Sequence, residues 1–111
     1  MITQPYTRLV LTSSEVEPMD ESSPATPLGD ANAVQLTIVA YEVTGSLTVR
    51  LQVSNDAENW TDHSANELRT TSMGIFVMSP DTQICTRYVR VRADVAEGQA
   101  ILGVDQYALK L

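Results

Sequence analysis

The chain has 111 residues, with 14 Asp+Glu against 7 Lys+Arg for a formal net charge of -7. A folded chain of 12.1 kDa leaves roughly 6,000 Å² in water against roughly 17,500 Å² when unfolded, so one domain over residues 1–111 can bury a core without metals or disulfides. Apolar residues at 43% and charged residues at 19% exclude a disordered or membrane-spanning composition, and the acidic balance argues against nucleic acid and against anionic membrane surfaces as partners.

Residues 6–12 begin the pattern. Thr7, Leu9 and Leu11 alternate with Arg8, Val10 and Thr12, which predicts a first strand. Residues 13–30 then carry Glu15, Glu17, Asp20, Glu21 and Asp30 with no Lys or Arg, and Pro18, Pro24 and Pro27. Proline at this spacing opposes helix and central strand alike. A long acidic loop is expected there.

From 33 to 43, Val34, Leu36, Ile38 and Ala40 share one face, and Gln35, Thr37, Val39 and Tyr41 the other. Thr44-Gly45-Ser46 reads as a turn, and Leu47, Val49, Leu51 and Val53 alternate with Thr48, Arg50 and Gln52. The spacing predicts a hairpin of two half-buried strands. Ser54 to Asn59 forms a dense turn cluster before Trp60. Residues 61–69 look polar and irregular. Ile75 to Met78 form a short strand stopped by Ser79-Pro80-Asp81. Val89, Val91, Ala93 and Val95 oppose Tyr88, Arg90, Arg92 and Asp94, Ala96-Glu97-Gly98 reads as a turn, and Ala100, Leu102 and Val104 follow. The change of parity before Tyr107 predicts a bulge near Asp105-Gln106. No segment keeps a helical period over three turns. The expected fold is all-β: a single antiparallel sandwich, jelly-roll-like, of six to eight strands.

Few residues carry obvious chemistry. The single cysteine, Cys85, excludes an intramolecular disulfide and a multi-cysteine zinc site. In a strand-like run it is expected to be a small buried hydrophobe. The lone histidine, His63, has Asp62, Ser64 and Glu67 nearby but no nucleophile elbow, so it reads as an ordinary turn or surface residue rather than a catalytic base. Asn55, Asp56, Glu58 and Asn59 offer hard oxygens, but they lack the spacing and the glycine of a calcium-binding hand. No cofactor, metal ligand set or catalytic group is expected.

Two constellations remain. Arg50, Arg90 and Arg92, with Arg87 close by, fall on the polar faces of predicted strands and would form a basic stripe if those strands are neighbours. Such a stripe would complement Glu15, Glu17, Asp20 and Glu21 of the acidic loop, in the same chain or in a second copy, giving a homo-oligomer. The plainer alternative is a solvated sheet face that blunts edge pairing. The other constellation is Asn55, Asp56 and Trp60, a ligand or carbohydrate site if Trp60 is exposed for stacking. A core position for Trp60 at the start of a strand is the stronger expectation. Asn59-Trp60-Thr61 matches a glycosylation acceptor, but no positively charged leader with an apolar run precedes it, so export is not expected.

The run Val49-Arg50-Leu51-Gln52-Val53-Ser54-Asn55-Asp56-Ala57-Glu58-Asn59-Trp60 resembles the strand and Ser-Asn-Asp-Gly-x-x-Trp hairpin of small β-sandwich modules. These modules are similar to parts of discoidin-like domains and recur in bacteriophage virion proteins. Arg87-Tyr88-Val89-Arg90-Val91-Arg92 fits their Tyr-Val-Arg-Val strand. Ala57 stands where the pattern has glycine. The resemblance covers about a fifth of the chain and implies a fold more than a function. It implies a non-enzymatic structural or assembly protein, a head-decoration or tail-associated subunit that packs against its own copies and other particle or capsid subunits. Its location would be the virion or the cytoplasm. A carbohydrate- or ligand-binding module is the alternative.

Overall fold

A computed structural model describes residues 2–12, 19–78 and 83–110. Its strands are β1 (Ile2–Thr12), β2 (Met19–Ser22), β3 (Thr26–Pro27), β4 (Ala33–Ser54), β5 (Thr61–Thr70), β6 (Gly74–Met78) and β7 (Tyr88–Leu109). No helix occurs among the described residues. The expected all-β antiparallel class is what the chain forms, with every strand in one hydrogen-bonded sheet of order β1-β7-β4-β5.

Two strands organise everything else. β4 and β7 are 22 residues each and pair antiparallel along their whole length, from Ala33 opposite Leu109 to Ser54 opposite Tyr88. A straight strand of that length would run roughly 70 Å, yet the longest dimension of the molecule is 40 Å. The ribbon therefore folds over on itself. The corner lies where the register shifts, between Ala40 and Glu42 and again between Thr44 and Ser46. The first shift places an extra residue, Tyr41, in β4. The second places one in β7 beside Gly98, so the register recovers beyond the corner.

This geometry corrects the sequence reading. Thr44-Gly45-Ser46 does not reverse the chain, and neither does Ala96-Glu97-Gly98. The two segments face each other across the ribbon and bend it together. Gly45 takes φ 82°, a left-handed conformation that glycine adopts without a Cβ penalty. Gly98 is needed for a different reason: a Cβ there would lie 2.0 Å from the Thr44 carbonyl oxygen. The Gln99 N–H donates to Thr44 Oγ1 at 2.9 Å and completes the corner.

Folding over gives two halves, each four strands wide. In the first, β6 and β1 flank the pairing of β4 33–40 with β7 102–109; in the second, β5 on one side and β2 and β3 on the other flank β4 46–54 with β7 88–96. Val34, Leu36, Ile38 and Ala40 from one half join Leu47, Val49, Leu51, Val89, Val91, Ala93 and Val95 from the other in a single buried cluster. The buried parity switches from even to odd along β4 as the chain passes the corner, which keeps the apolar side inward on both halves. The accessible surface of 6212 Å² agrees with the roughly 6,000 Å² expected for a fold of this mass.

Three other expectations change. Of the acidic segment 13–30, residues 19–22 and 26–27 are edge strands on β7 rather than loop. Pro27 is tolerated because an edge strand needs only one side of its backbone paired. The polar stretch 61–69 is β5, not irregular. The irregularity expected at Asp105-Gln106 falls on one side of β7 only: β1 shifts register there, between Thr3 opposite Gln106 and Tyr6 opposite Val104, whereas on β4 Gln35, Leu36 and Thr37 meet Tyr107, Gln106 and Asp105 in unbroken register. Gln106 simply continues the inward parity and is 1% exposed.

Candidate functional site

The outward faces of the two halves have opposite chemistry. On the second half, Arg50 lies opposite Arg92, and Gln52 opposite Arg90. The expected gathering of Arg50, Arg90 and Arg92 on one face is therefore present. It is not a free basic stripe, because the neighbouring strands intersperse carboxylates. Arg50 reaches Asp62 and Glu67 at 3.5 Å each and Asp94 at 4.0 Å. Arg92 Nε meets Asp94 at 3.3 Å, and Arg69 Nε donates to Glu67 at 2.9 Å. The Arg69 hydrogen bond holds the Glu67 carboxyl below its ordinary range. Such exposed pairs give little stability each, but together they neutralise the face from within the chain.

The acidic partners expected for that stripe divide in two. Glu15 and Glu17 lie outside the described residues. Asp20 and Glu21 belong to β2, at register positions opposite Asp94 and Ala93 of the same chain. Ser23 follows as a staple: its hydroxyl accepts the Val91 N–H at 2.8 Å, and its own N–H donates to the Val91 carbonyl at 2.8 Å.

Asn55, Asp56 and Trp60 sit at the end of this charged face. Asp56 closes the 54–59 turn. Its Oδ1 accepts the N–H groups of Glu58 and Asn59 at 2.9 Å each and the Ser54 hydroxyl at 2.8 Å, and its Oδ2 accepts the Asn59 side-chain amide at 2.7 Å. These bonds, led by the Asn59 and Glu58 N–H groups, hold its carboxyl far below the usual range. Ala57 takes φ 60° where the resembled motif has glycine. The carboxylate is thus engaged in holding its own loop.

Trp60 is half-buried and does not join the core, against expectation. The Arg90 guanidinium lies over its ring, 4.4 Å from the centroid. Arg90 Nε also donates to Gln52 Oε1 at 2.7 Å, and Gln52 Nε2 donates to Asp62 Oδ1 at 2.8 Å. Trp60, Arg90, Gln52, Asp62 and Arg50 therefore form one connected row. A cation already occupies one face of the indole, which leaves a single ring face for any sugar.

His63 is half-buried on β5. No cluster of three or more His, Cys, Asp or Glu suited to a metal ion occurs among the described residues. Cys85 is exposed, not buried. It lies in the connection before β7, where Ile84 takes the inward position at 5% exposure and its N–H donates to the Asn32 carbonyl at 2.7 Å.

The outward face of the first half is largely apolar, interrupted by the exposed Asp105 beside Thr37, and sequence reasoning missed it. Ile75 is 73% exposed, Met73 70%, and Tyr41 and Val77 56% each. In register, Ile75 lies beside Val39 and Val77 beside Thr37. Val10 and Tyr107 continue the face across β1 and β7. The signal was present in the sequence: Val39 and Tyr41 fall on the outer parity of β4, where a wet face would carry charge.

No protein-family model matches the chain, and no curated protein matches it by sequence. Solved structures do share the fold. The PBSX exported protein XepA superposes with a TM-score of 0.72 at 14% identity over 100% of this chain. The chain spans only 37% of XepA's length. The enzymatically active domain of bacteriophage CBA120 tailspike protein 4 gives 0.57 at 13% identity, over 98% of this chain and 18% of the tailspike chain. CpGH89CBM32-6, produced by Clostridium perfringens, gives 0.54 at 18% identity over 95% of this chain and 79% of its own. The resemblance to small β modules of phage proteins thus holds at the level of fold, and a carbohydrate-binding module shares that fold.

Proposed function

We propose that this chain is a non-enzymatic structural subunit of a phage or phage-like particle, a head-decoration or tail-associated module, that works by packing against its own copies and other particle or capsid subunits. The observation that carries the reading is the apolar outer face of the first half, with Ile75 and Met73 at 73% and 70% exposure. Exposed large apolar side chains gathered on one face are characteristic of contact sites. The fold shared with XepA and a phage tailspike supports the context. The virion is the matching location.

The rival reading, a carbohydrate-binding module using Asn55, Asp56 and Trp60, draws on the likeness to CpGH89CBM32-6. It is weakened by the Asp56 carboxylate being spent on its own turn and by Arg90 covering one indole face. A glycan array with the wild-type chain and Trp60→Ala separates the two. The structural reading expects no glycan retained by either protein. Retention lost in Trp60→Ala would overturn it.

A further inference from the structure

We infer that β6 is a docking edge for a second copy of this chain, joining two β6 strands antiparallel about a two-fold axis. This rests on the reading that the protein works by subunit packing, and it names the contact.

An open sheet edge invites another strand, and natural proteins blunt their edges with charge, proline, bulges or short length. Among the described residues, three of the four edges are blunted. β1 carries two register shifts around Pro5 and Tyr6. β3 contains Pro27, and β5 carries Asp62, Glu67 and Arg69. β6 reads Gly74-Ile75-Phe76-Val77-Met78 and pairs with β4 alone among the described residues. At five residues it is shorter than β1 and β5, but it has no charge, no proline and no register shift against β4.

The same strand is self-complementary. Pairing about a two-fold axis through Phe76 sets Ile75 opposite Val77 of the second copy, Gly74 opposite its Met78, and Phe76 opposite itself. Ile75 and Val77 are the outward residues of β6, so pairing brings their exposed side chains together in two cross-strand contacts. Electrostatics selects the same strip. Two chains of formal net charge -7 repel, and an isologous contact sets each surface against itself. A neutral strip adds no like-charge contact to that repulsion, and β6 with its outward neighbours Thr37 and Val39 carries no ionisable group. Charge repulsion outside the strip also predicts that added salt tightens the association.

The test combines light scattering with cross-linking. The wild-type chain is expected at twice its 12.1 kDa mass, and Ile75→Lys and Val77→Lys each at half the wild-type value with unchanged circular dichroism. In a Cys85→Ser background, Ile75→Cys with Val77→Cys is expected to give a covalent dimer on mild oxidation. Directly opposed residues of an antiparallel pair lie about 4.5–5.5 Å apart at Cα, within disulfide reach. An oligomeric wild type with unaffected lysine variants and no covalent dimer overturns the β6 edge and leaves the packing reading standing. A wild type that remains at monomer mass overturns both.

Discussion

Gly98→Ala isolates the corner at which the β4–β7 ribbon folds over. The added Cβ would lie 2.0 Å from the Thr44 carbonyl oxygen and 2.5 Å from its carbon, where unbonded heavy atoms prefer about 3.5 Å. The neighbour is backbone, so no side chain can swing aside. The two strands must part locally by about 1.5 Å, and the Gln99 N–H to Thr44 Oγ1 bond, now 2.9 Å, would stretch past its working range. Overpacking of this kind costs about 1–3 kcal/mol, and a lost hydrogen bond about 1 kcal/mol more. The expected loss is about 2–4 kcal/mol, a large share of a stability of order 5–15 kcal/mol. Gly29→Ala is the control. It takes a positive φ of +59°, unlike Gly98, and meets nothing within 4 Å, so it should lose only the left-handed backbone penalty of about 1–2 kcal/mol. Urea unfolding followed by Trp60 fluorescence reads both. With a slope of about 2 kcal/mol per molar, Gly98→Ala should move the midpoint down by roughly 1–2 M and Gly29→Ala by under 1 M. Equal shifts, or a Gly98→Ala loss below about 1 kcal/mol, would refute the tight corner.

Three more outcomes follow from individual side chains. Gln106 is 1% exposed with neither end of its amide bonded among the described residues, so Gln106→Met should raise stability by about 1–2 kcal/mol; a lower urea midpoint would contradict the orphaned amide. Asp56 has a depressed folded-state pKa, so its contribution is present above the ordinary carboxylate range near pH 4 and is lost as pH falls towards the folded value. Asp56→Ala should lower the midpoint at pH 7 and narrow the difference between pH 7 and pH 3, and an unchanged difference would count against the turn. Cys85 is exposed, so one thiol per native chain should react with a thiol reagent at a rate little changed by urea, whereas protection until unfolding would restore the buried position that its sequence neighbourhood suggested.

Much of the fold was legible because burial writes itself as a two-residue rhythm. Val34 to Ala40, Leu47 to Leu51 and Val89 to Val95 all lie inward as their alternation requires. Connectivity was less legible, for a physical reason at Gly45 and Gly98. A glycine that reverses the chain and a glycine that bends a strand or admits a close neighbour leave the same local mark. Only the partner across the ribbon distinguishes them, and Thr44 and Gln99 are 55 residues apart. β5 escaped notice because its polar residues serve the Arg50 network on an outer face, so no strong alternation survives. The shared face of Arg50, Arg90 and Arg92 was readable from parity, but their neutralisation was not. Asp62 and Glu67 come from a strand whose existence the sequence hid. Trp60 was expected in the core because large aromatics usually go there; the cation from Arg90 offers the ring an alternative.

The apolar outer half and its β6 edge exist only if β4 and β7 run past each other uninterrupted. Backbone nuclear Overhauser contacts measure this directly. Contacts between Val39 and Gly103 and between Val49 and Ala93, with none joining 33–40 to 47–54 as a hairpin, are the predicted result. A ladder of contacts between residues 33–43 and 47–53 would contradict the folded ribbon and the interface built on it.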